Sequence, residues 1–104
     1  MIPKLASSTP AANATVASPA RIMLRFSEKL VNKFSGAELV MTDMPGMKMN
    51  APMKVAVKTM FGPDGKTLML LPAKPLTAGT YKLDYHVVSA DTHRINGGYS
   101  FKVK

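Results

Sequence analysis

The sequence predicts an all-β fold, an antiparallel sandwich or barrel built from two sheets. Several short segments alternate apolar and polar residues, which is the pattern of strands with one buried face. Glycine and proline separate these segments at short intervals, as turns require. No segment repeats apolar residues with the period of a long helix. With 104 residues, the chain has the size of one domain, and we expect residues 1–104 to form a single unit of about seven strands.

One strand stands out in the first half of the chain. Residues 21–26 alternate cleanly, with Ile22, Leu24 and Phe26 on one face and polar or flexible side chains on the other. This period of two predicts a half-buried strand. The remaining segments are interpreted as a first strand at 3–8, a loop at 11–19, a connection with at most one helical turn at 27–33, and a strand at 37–41.

The longest alternation lies in the second half, where an aromatic and aliphatic face is set against a polar one. It begins after Gly79 and places Tyr81, Leu83, Tyr85 and Val87 on the same side. This is the most clearly predicted strand of the chain. The other segments predicted here are an extended stretch at 53–60, a tight turn at 62–65, a strand at 67–71, a ten-residue loop at 89–98 and a final strand at 99–104.

Composition excludes several classes of function. The net charge is +8, but the 14 basic residues are scattered and form no run, so we expect a solvated basic surface and no nucleic-acid partner. The absence of cysteine excludes disulfides, thiolate metal sites and thiol catalysis. No apolar run approaches the roughly 20 residues of a membrane span, and the first residues lack a secretory signal pattern. We therefore expect no membrane insertion.

An unusual cluster of methionines occupies residues 41–53. Pro45, Gly46 and Pro52 interrupt regular structure there, so a loop with several long apolar side chains is predicted. Thioether sulfur is soft and neutral, and it suits Cu(I) or Ag(I). Methionine also fills irregular gaps over a core, and the segment alone does not decide between a metal site and an apolar plug. Five of the nine methionines lie here: Met41, Met44, Met47, Met49 and Met53.

A second candidate site is the short motif Asp91-Thr92-His93. In an extended segment the two outer side chains point the same way and could share a metal, and their oxygen and nitrogen donors suit Cu(II). The alternative is a turn-capping aspartate beside an ordinary surface histidine. The other histidine, His86, is expected on the exposed face of its strand.

With no cysteine, no serine elbow and dispersed carboxylates, the chain is not expected to be an enzyme.

The order of several motifs resembles the CopC/PcoC family of periplasmic copper-resistance proteins. The motifs are P-K-L-A-S-S-T-P, R-F-S-E-K-L, F-S-G-A-E-L-V-M-T, M-P-G-M, P-L-T-A-G-T-Y, V-S-A-D-T-H and F-K-V-K, and together they run from Pro3 to Lys104. The resemblance implies a Greek-key β-barrel related to the cupredoxin and immunoglobulin-like sandwiches. It also implies a copper carrier without catalytic turnover.

The resemblance further implies two metal sites. Cu(I) ligands would come from Met41, Met44, Met47 and Met53, with Met49 standing near the position where the family usually has a histidine. The Cu(II) site of many relatives combines an N-terminal histidine with the aspartate and histidine that match Asp91 and His93. Ile2 stands in place of that histidine here, so we expect Cu(II) binding at Asp91 and His93 to be weakened, rearranged or absent. His86 falls where relatives have arginine, and no role carries over to it.

These observations together predict a monomeric periplasmic carrier that binds copper, with Cu(I) favoured, and passes it to other copper-resistance proteins. The competing hypothesis is a metal-free interaction module that uses the methionine-rich loop to bind an apolar protein surface.

Overall fold

Nine strands account for most of the computed structural model, which describes residues 3–47 and 51–104. Each predicted strand segment of the sequence corresponds to at least one of them. A short 3-10 turn at Asn32–Phe34 lies in the predicted connection. The strands are β1 Leu5–Thr9, β2 Thr15–Val16, β3 Ile22–Phe26, β4 Gly36–Asp43, β5 Met53–Val55, β6 Val57–Phe61, β7 Thr67–Pro72, β8 Gly79–Val88 and β9 Arg94–Val103.

The strands form two sheets that pack face to face. One sheet has the order β1-β3-β7-β6, and the other has the order β2-β9-β8-β4-β5. Neighbouring strands are antiparallel except β2 and β9, which pair in parallel. The all-β prediction is confirmed, and the two sheets make an open sandwich instead of a closed barrel. Within the described residues, no helix has the length and apolar character needed to cross a membrane.

The core lies between the sheets and follows the predicted alternation. In β3 the side chains of Ile22, Leu24 and Phe26 are buried, as expected for one face of a strand. In β8 the inward face includes Tyr81 and Leu83, which are also buried. Burial of these apolar faces is the main stabilising contribution, at roughly 25 cal/mol per Å² of apolar surface.

The predicted ten-residue loop at 89–98 is wrong, because β9 begins at Arg94 and only residues 89–93 connect it to β8. Gly97 and Gly98 lie within β9 and not in a loop. They pair with Tyr85 and Asp84 of β8 inside the ladder, and their missing side chains permit a close approach of the two strands.

The extended stretch predicted at 53–60 is also divided. Ala56 separates β5 from β6, and these two strands belong to different sheets. The backbone N–H of Ala73 donates to the Ala56 carbonyl at 3.0 Å, which fixes the crossing point. In the predicted loop at 11–19, the two-residue strand β2 pairs with the end of β9.

Candidate metal centre

The methionine-rich segment forms a β-hairpin, which we call the methionine hairpin: strand β4, residues 44–52 and strand β5. Met41 of β4 is paired with Met53 of β5 across the ladder. The predicted loop is therefore shorter than residues 41–53, since both end methionines belong to strands. Directly paired residues in a sheet have Cβ atoms about 4.5–5.5 Å apart, so the register brings these two side chains together.

A tight turn brings two more methionines together at the start of the connecting segment. The N–H of Met47 donates to the carbonyl of Met44 at 3.1 Å, and the two residues form an isolated bridge. Pro45 and Gly46 occupy the central positions, and Gly46 has a φ of 77°. Proline followed by a glycine of positive φ is typical of a type II turn. The sequence M-P-G-M thus brings the backbones of Met44 and Met47 close together.

Three of these methionines line a common groove of about 400 Å³ at one end of the sandwich. Met41 is only 5% exposed and belongs to the core, while Met44 is half-buried against it. Met53 is 55% exposed and forms the outer edge. The opposite wall is apolar and aromatic, and includes Pro75, Leu76 and Tyr81.

The Tyr81 side chain is held in place at the base of the groove. Its hydroxyl donates to the Thr77 carbonyl at 2.6 Å, and its ring stacks on Phe101 with centroids 5.6 Å apart. Tyr81 is also the β8 partner of Met41. The buried thioether therefore has a rigid wall, whereas the exposed ones do not.

Met47 lies outside the groove lining and is 62% exposed. Its side chain lies on the outer surface of the turn. The backbone of Met47 is paired with that of Met44, which does line the groove. Met49, the fifth predicted ligand, lies outside the described residues. The structure thus brings together Met41, Met44 and Met53, and places Met47 beside them.

The donor chemistry at this end of the molecule is dominated by sulfur. Across residues 3–47 and 51–104, no three histidine, cysteine, aspartate or glutamate side chains converge as a metal-binding group. The charged residues that line the groove are Lys54 and Lys74, which are cationic and offer no metal donor at neutral pH. An ion held in this groove would need a preference for neutral, soft ligands.

The second predicted pair, Asp91 and His93, lies in the connection between β8 and β9. His93 Nδ1 is 3.1 Å from Asp91 Oδ2, so the two side chains do meet. A carboxylate that accepts a hydrogen bond from Nδ1 fixes the imidazole tautomer and leaves the Nε2 lone pair as the metal donor. In this arrangement Asp91 orients the ring, and Nε2 of His93 is the nitrogen that would be available to a metal.

Ser89 organises this connection and was not singled out from the sequence. Its buried hydroxyl donates to the Asp91 carboxylate and accepts from the His93 N–H at 3.2 Å. The Ser89 N–H donates to the His93 carbonyl at 2.9 Å. Serine side chains often hydrogen-bond to backbone groups a few residues away, and a serine just before the Asp-Thr-His motif is the signal that could have identified it.

Hydrogen bonds keep the Asp91 carboxyl ionised. Ser89 and His93 donate hydrogen bonds to this carboxylate, and the pKa of Asp91 is held well below its ordinary value. A carboxylate that stays negative at neutral pH favours a cation nearby. Asp91 and His93 are both largely exposed, and solvent screens this attraction.

His86 is exposed on the outer face of β8, as its strand position predicted. It pairs with Gly36 of β4 and Asn96 of β9 and lines a cavity with Thr92 and Arg94, but in the described part of the chain it forms no metal-binding group with Asp91 and His93. Glu38 and Asp84 line a shallow depression beside it. His86 is thus not brought into either candidate site.

The two candidate sites lie at opposite ends of β8. Tyr81, near the start of this strand, contacts the methionine hairpin, and Ser89 follows its last residue. At a rise of about 3.3 Å per residue, these ends are on the order of 25 Å apart. A metal ion cannot be shared between them, so they are separate sites.

The CopC domain family matches residues 5–104. Copper resistance protein C of Pseudomonas syringae pv. tomato is 58% identical over 102 residues, which cover 98% of this chain and 80% of the relative. Copper resistance protein C of Escherichia coli is 52% identical over 102 residues, which cover 98% of this chain and 81% of the relative.

Solved structures show the same fold. Selenomethionine PcoC, a copper resistance protein from Escherichia coli, superposes with a TM-score of 0.93 at 51% identity, covering 97% of this chain and 99% of that one. PcoC described as a methionine-rich copper resistance protein superposes with a TM-score of 0.90 at 49% identity, covering both chains completely. Members of the family are copper-binding resistance proteins and not enzymes, which confirms the expectation that the chain is not an enzyme. By sequence and by structure, the chain belongs to the CopC family of copper-resistance proteins.

Proposed function

We propose that the protein is a periplasmic copper carrier that binds Cu(I) at the methionine hairpin and passes it to other copper-resistance proteins. One observation carries the proposal: strand register and a tight turn bring Met41, Met44 and Met53 to one groove that has no competing nitrogen or thiolate donor among its described lining residues. The copper-resistance relatives, one of them methionine-rich, support the same metal. We further propose that it acts as a monomer and as one domain.

The donors have different roles in this proposal. Met41 is buried and held by the Tyr81 wall, so it serves as a fixed anchor. Met44 is half-buried, and Met47 and Met53 are exposed enough for an incoming ligand from a partner to replace them. Met49 completes the proposed set. Exchange of exposed thioethers one at a time lets the metal leave without opening the core.

The neutral, soft character of the thioether donors favours Cu(I) over Cu(II). Thioethers are neutral, so the bound ion keeps its own charge, and the nearby Lys54 and Lys74 add no attraction. Cu(I) gains from soft sulfur ligands, whereas Cu(II) prefers nitrogen and oxygen. Oxidation of the bound ion is therefore expected to weaken its binding and to favour release.

The test is a titration with Ag(I), a redox-inert analogue of Cu(I), followed through the methionine methyl signals by NMR. We expect the signals of Met41, Met44, Met47 and Met53 to shift with the first equivalent. The combined variant Met44→Leu, Met47→Leu and Met53→Leu keeps side-chain volume nearly constant and should lose at least tenfold in affinity. His93→Ala, at the other end of β8, is the matched control and should bind Ag(I) normally.

An unchanged Ag(I) affinity in the triple variant would contradict the proposal. If the hairpin methyl signals of the unaltered protein also stayed fixed, the metal-free interaction module would be favoured, because Met47 and Met53 already present exposed apolar surface. That alternative predicts hairpin shifts only on addition of a partner protein.

A second function, Cu(II) binding near Asp91 and His93, is favoured by the 3.1 Å contact that orients the imidazole. His93→Ala should remove the Cu(II) electron paramagnetic resonance signal assigned to nitrogen coordination. Ser89→Ala keeps both donors but removes the hydroxyl that organises them, and it should weaken Cu(II) binding by a smaller factor. A His93→Ala variant with unaltered Cu(II) affinity and spectrum would exclude this site.

A further inference from the structure

Three methionines outside the hairpin form a single row across the other sheet. Met23 of β3 pairs with Met69 of β7, and Met69 pairs with Met60 of β6. Of the nine methionines in the chain, five lie in residues 41–53 and one is the first residue. Met23, Met60 and Met69 are the other three. We call the row Met23–Met69–Met60 the methionine ladder.

The ladder lies on the outer face of the four-stranded sheet. The sequence neighbours Leu24, Leu68 and Leu70 are buried, so alternation turns the ladder residues away from the core. Met60 is 44% exposed, and Met23 and Met69 are half-buried. Thioethers in this position are accessible to solvent and to ions.

The spacing of the ladder suits a soft monovalent cation. Directly paired residues have Cβ atoms about 4.5–5.5 Å apart, so the sulfur of Met69 can approach that of either neighbour. Met23 and Met60 lie two strand spacings apart, roughly 10 Å, and are too distant to form a site without Met69. Met69 is therefore the shared donor, paired on one side with Met60 and on the other with Met23.

We propose that the methionine ladder is a second binding site for Cu(I) or Ag(I), built from pairs of thioethers that share Met69. It is independent of the hairpin site, because its strands belong to the other sheet. The soft, neutral sulfur donors select against Zn(II) and other borderline or hard ions.

The ladder is expected to be the weaker site, because a pair of thioethers that shares Met69 offers an ion fewer donors than the three that line the hairpin groove. Cationic side chains also lie on its face. Arg25 lies two residues from Met23 on β3, and Lys58 lies two residues from Met60 on β6, so both point to the same side of the sheet. Their repulsion of a cation is screened as ionic strength rises. The affinity of the ladder for Ag(I) should therefore increase with salt, provided the added anion does not bind silver.

The experiment is an Ag(I) titration in nitrate buffer, with the methyl signals of Met23, Met60 and Met69 followed by NMR. We expect these three signals to shift together after the hairpin is saturated. Met69→Leu, which preserves side-chain volume, should abolish the shifts of Met23 and Met60 while the hairpin response is kept. Met60→Leu should leave a response at Met23 and Met69.

The triple variant Met44→Leu, Met47→Leu and Met53→Leu tests this proposal independently of the proposed function, because it alters the hairpin and leaves the ladder intact. Ladder shifts that persist in that variant support the second site whether or not the hairpin binds copper. Ladder signals that remain fixed at several equivalents of Ag(I), or that still shift in a folded Met69→Leu variant, would overturn the proposal. Backbone amide spectra of each variant show that the fold is retained.

Discussion

At the scale of single residues, Gly97 illustrates how a missing side chain shapes the sandwich. Gly97 lies opposite Tyr85 in the ladder of β8 and β9, and a Cβ atom there would lie 2.6 Å from Tyr85 Cζ. The Tyr85 ring instead lies over the glycine, with its edge against Phe26 at a centroid distance of 5.3 Å. The ring thus covers the glycine and supplies the apolar contact that position 97 lacks.

We predict that Gly97→Ala destabilises the protein by about 1–3 kcal/mol, the usual range for overpacking. Urea denaturation should show a lower midpoint with an unchanged slope. The matched test is the same substitution in a Tyr85→Phe background, where the hydroxyl closest to the new methyl is absent and the loss should be smaller. Equal losses in the two backgrounds would show that the collision with Tyr85 is not the cause.

At the scale of elements, the turn between β6 and β7 shows how one carboxylate closes a reversal. Asp64 accepts hydrogen bonds from the Lys66 N–H at 2.9 Å, the Thr67 N–H at 3.1 Å and the Thr67 hydroxyl at 3.0 Å. The bond from Lys66 is the largest cause of a lowered pKa of Asp64; burial opposes it, and the Thr67 bonds and the charge of Arg25 act in the same direction as Lys66. Gly65, with a φ of 73°, completes the turn.

The lowered pKa of Asp64 links this turn to acid stability. Its contribution is fully present above the unfolded-state pKa of about 3.9 and is lost as pH falls through the lower folded-state pKa. Asp64→Asn should therefore lower the melting temperature at pH 7. Below pH 4 the variant should lose less stability than the unaltered protein, and the difference should equal the contribution of one carboxylate. An identical pH profile of melting temperature in the two proteins would show that Asp64 does not contribute.

The elements that sequence alone predicted are those whose alternation is complete. β3 and β8 each present an uninterrupted apolar face, and the residues predicted on these faces are buried except Tyr85, which is partly buried. The start of β9 was missed because Gly97 and Gly98 suggest a turn. In the structure, glycine is needed at both positions because a side chain there would collide with β8. β2 and the division at Ala56 depend on partner strands, which local sequence does not reveal.

At the scale of the whole molecule, the sandwich holds two chemically different regions at the two ends of β8. The hairpin end offers thioethers, and the end with Asp91 and His93 offers oxygen and nitrogen. Clustering in the sequence identified the methionines of the hairpin, but only strand register divides them into the buried Met41, the half-buried Met44 and the exposed Met47 and Met53. The groove wall at Tyr81 comes from a strand about 40 residues later, and for this reason a local pattern could not predict it.

The order of strands in the two sheets has a consequence for protein engineering. The hairpin divides the chain into a first part with β1 to β4 and a second part with β5 to β9, and the two parts interleave: β3 pairs with β7, β4 with β8 and β2 with β9. The union of the two parts therefore depends on these ladders and the shared core, and not on an unbroken backbone between residues 44 and 52. This segment is a natural place to split the protein into two fragments that reassemble, or to insert a foreign peptide, while the rest of the sandwich keeps its shape.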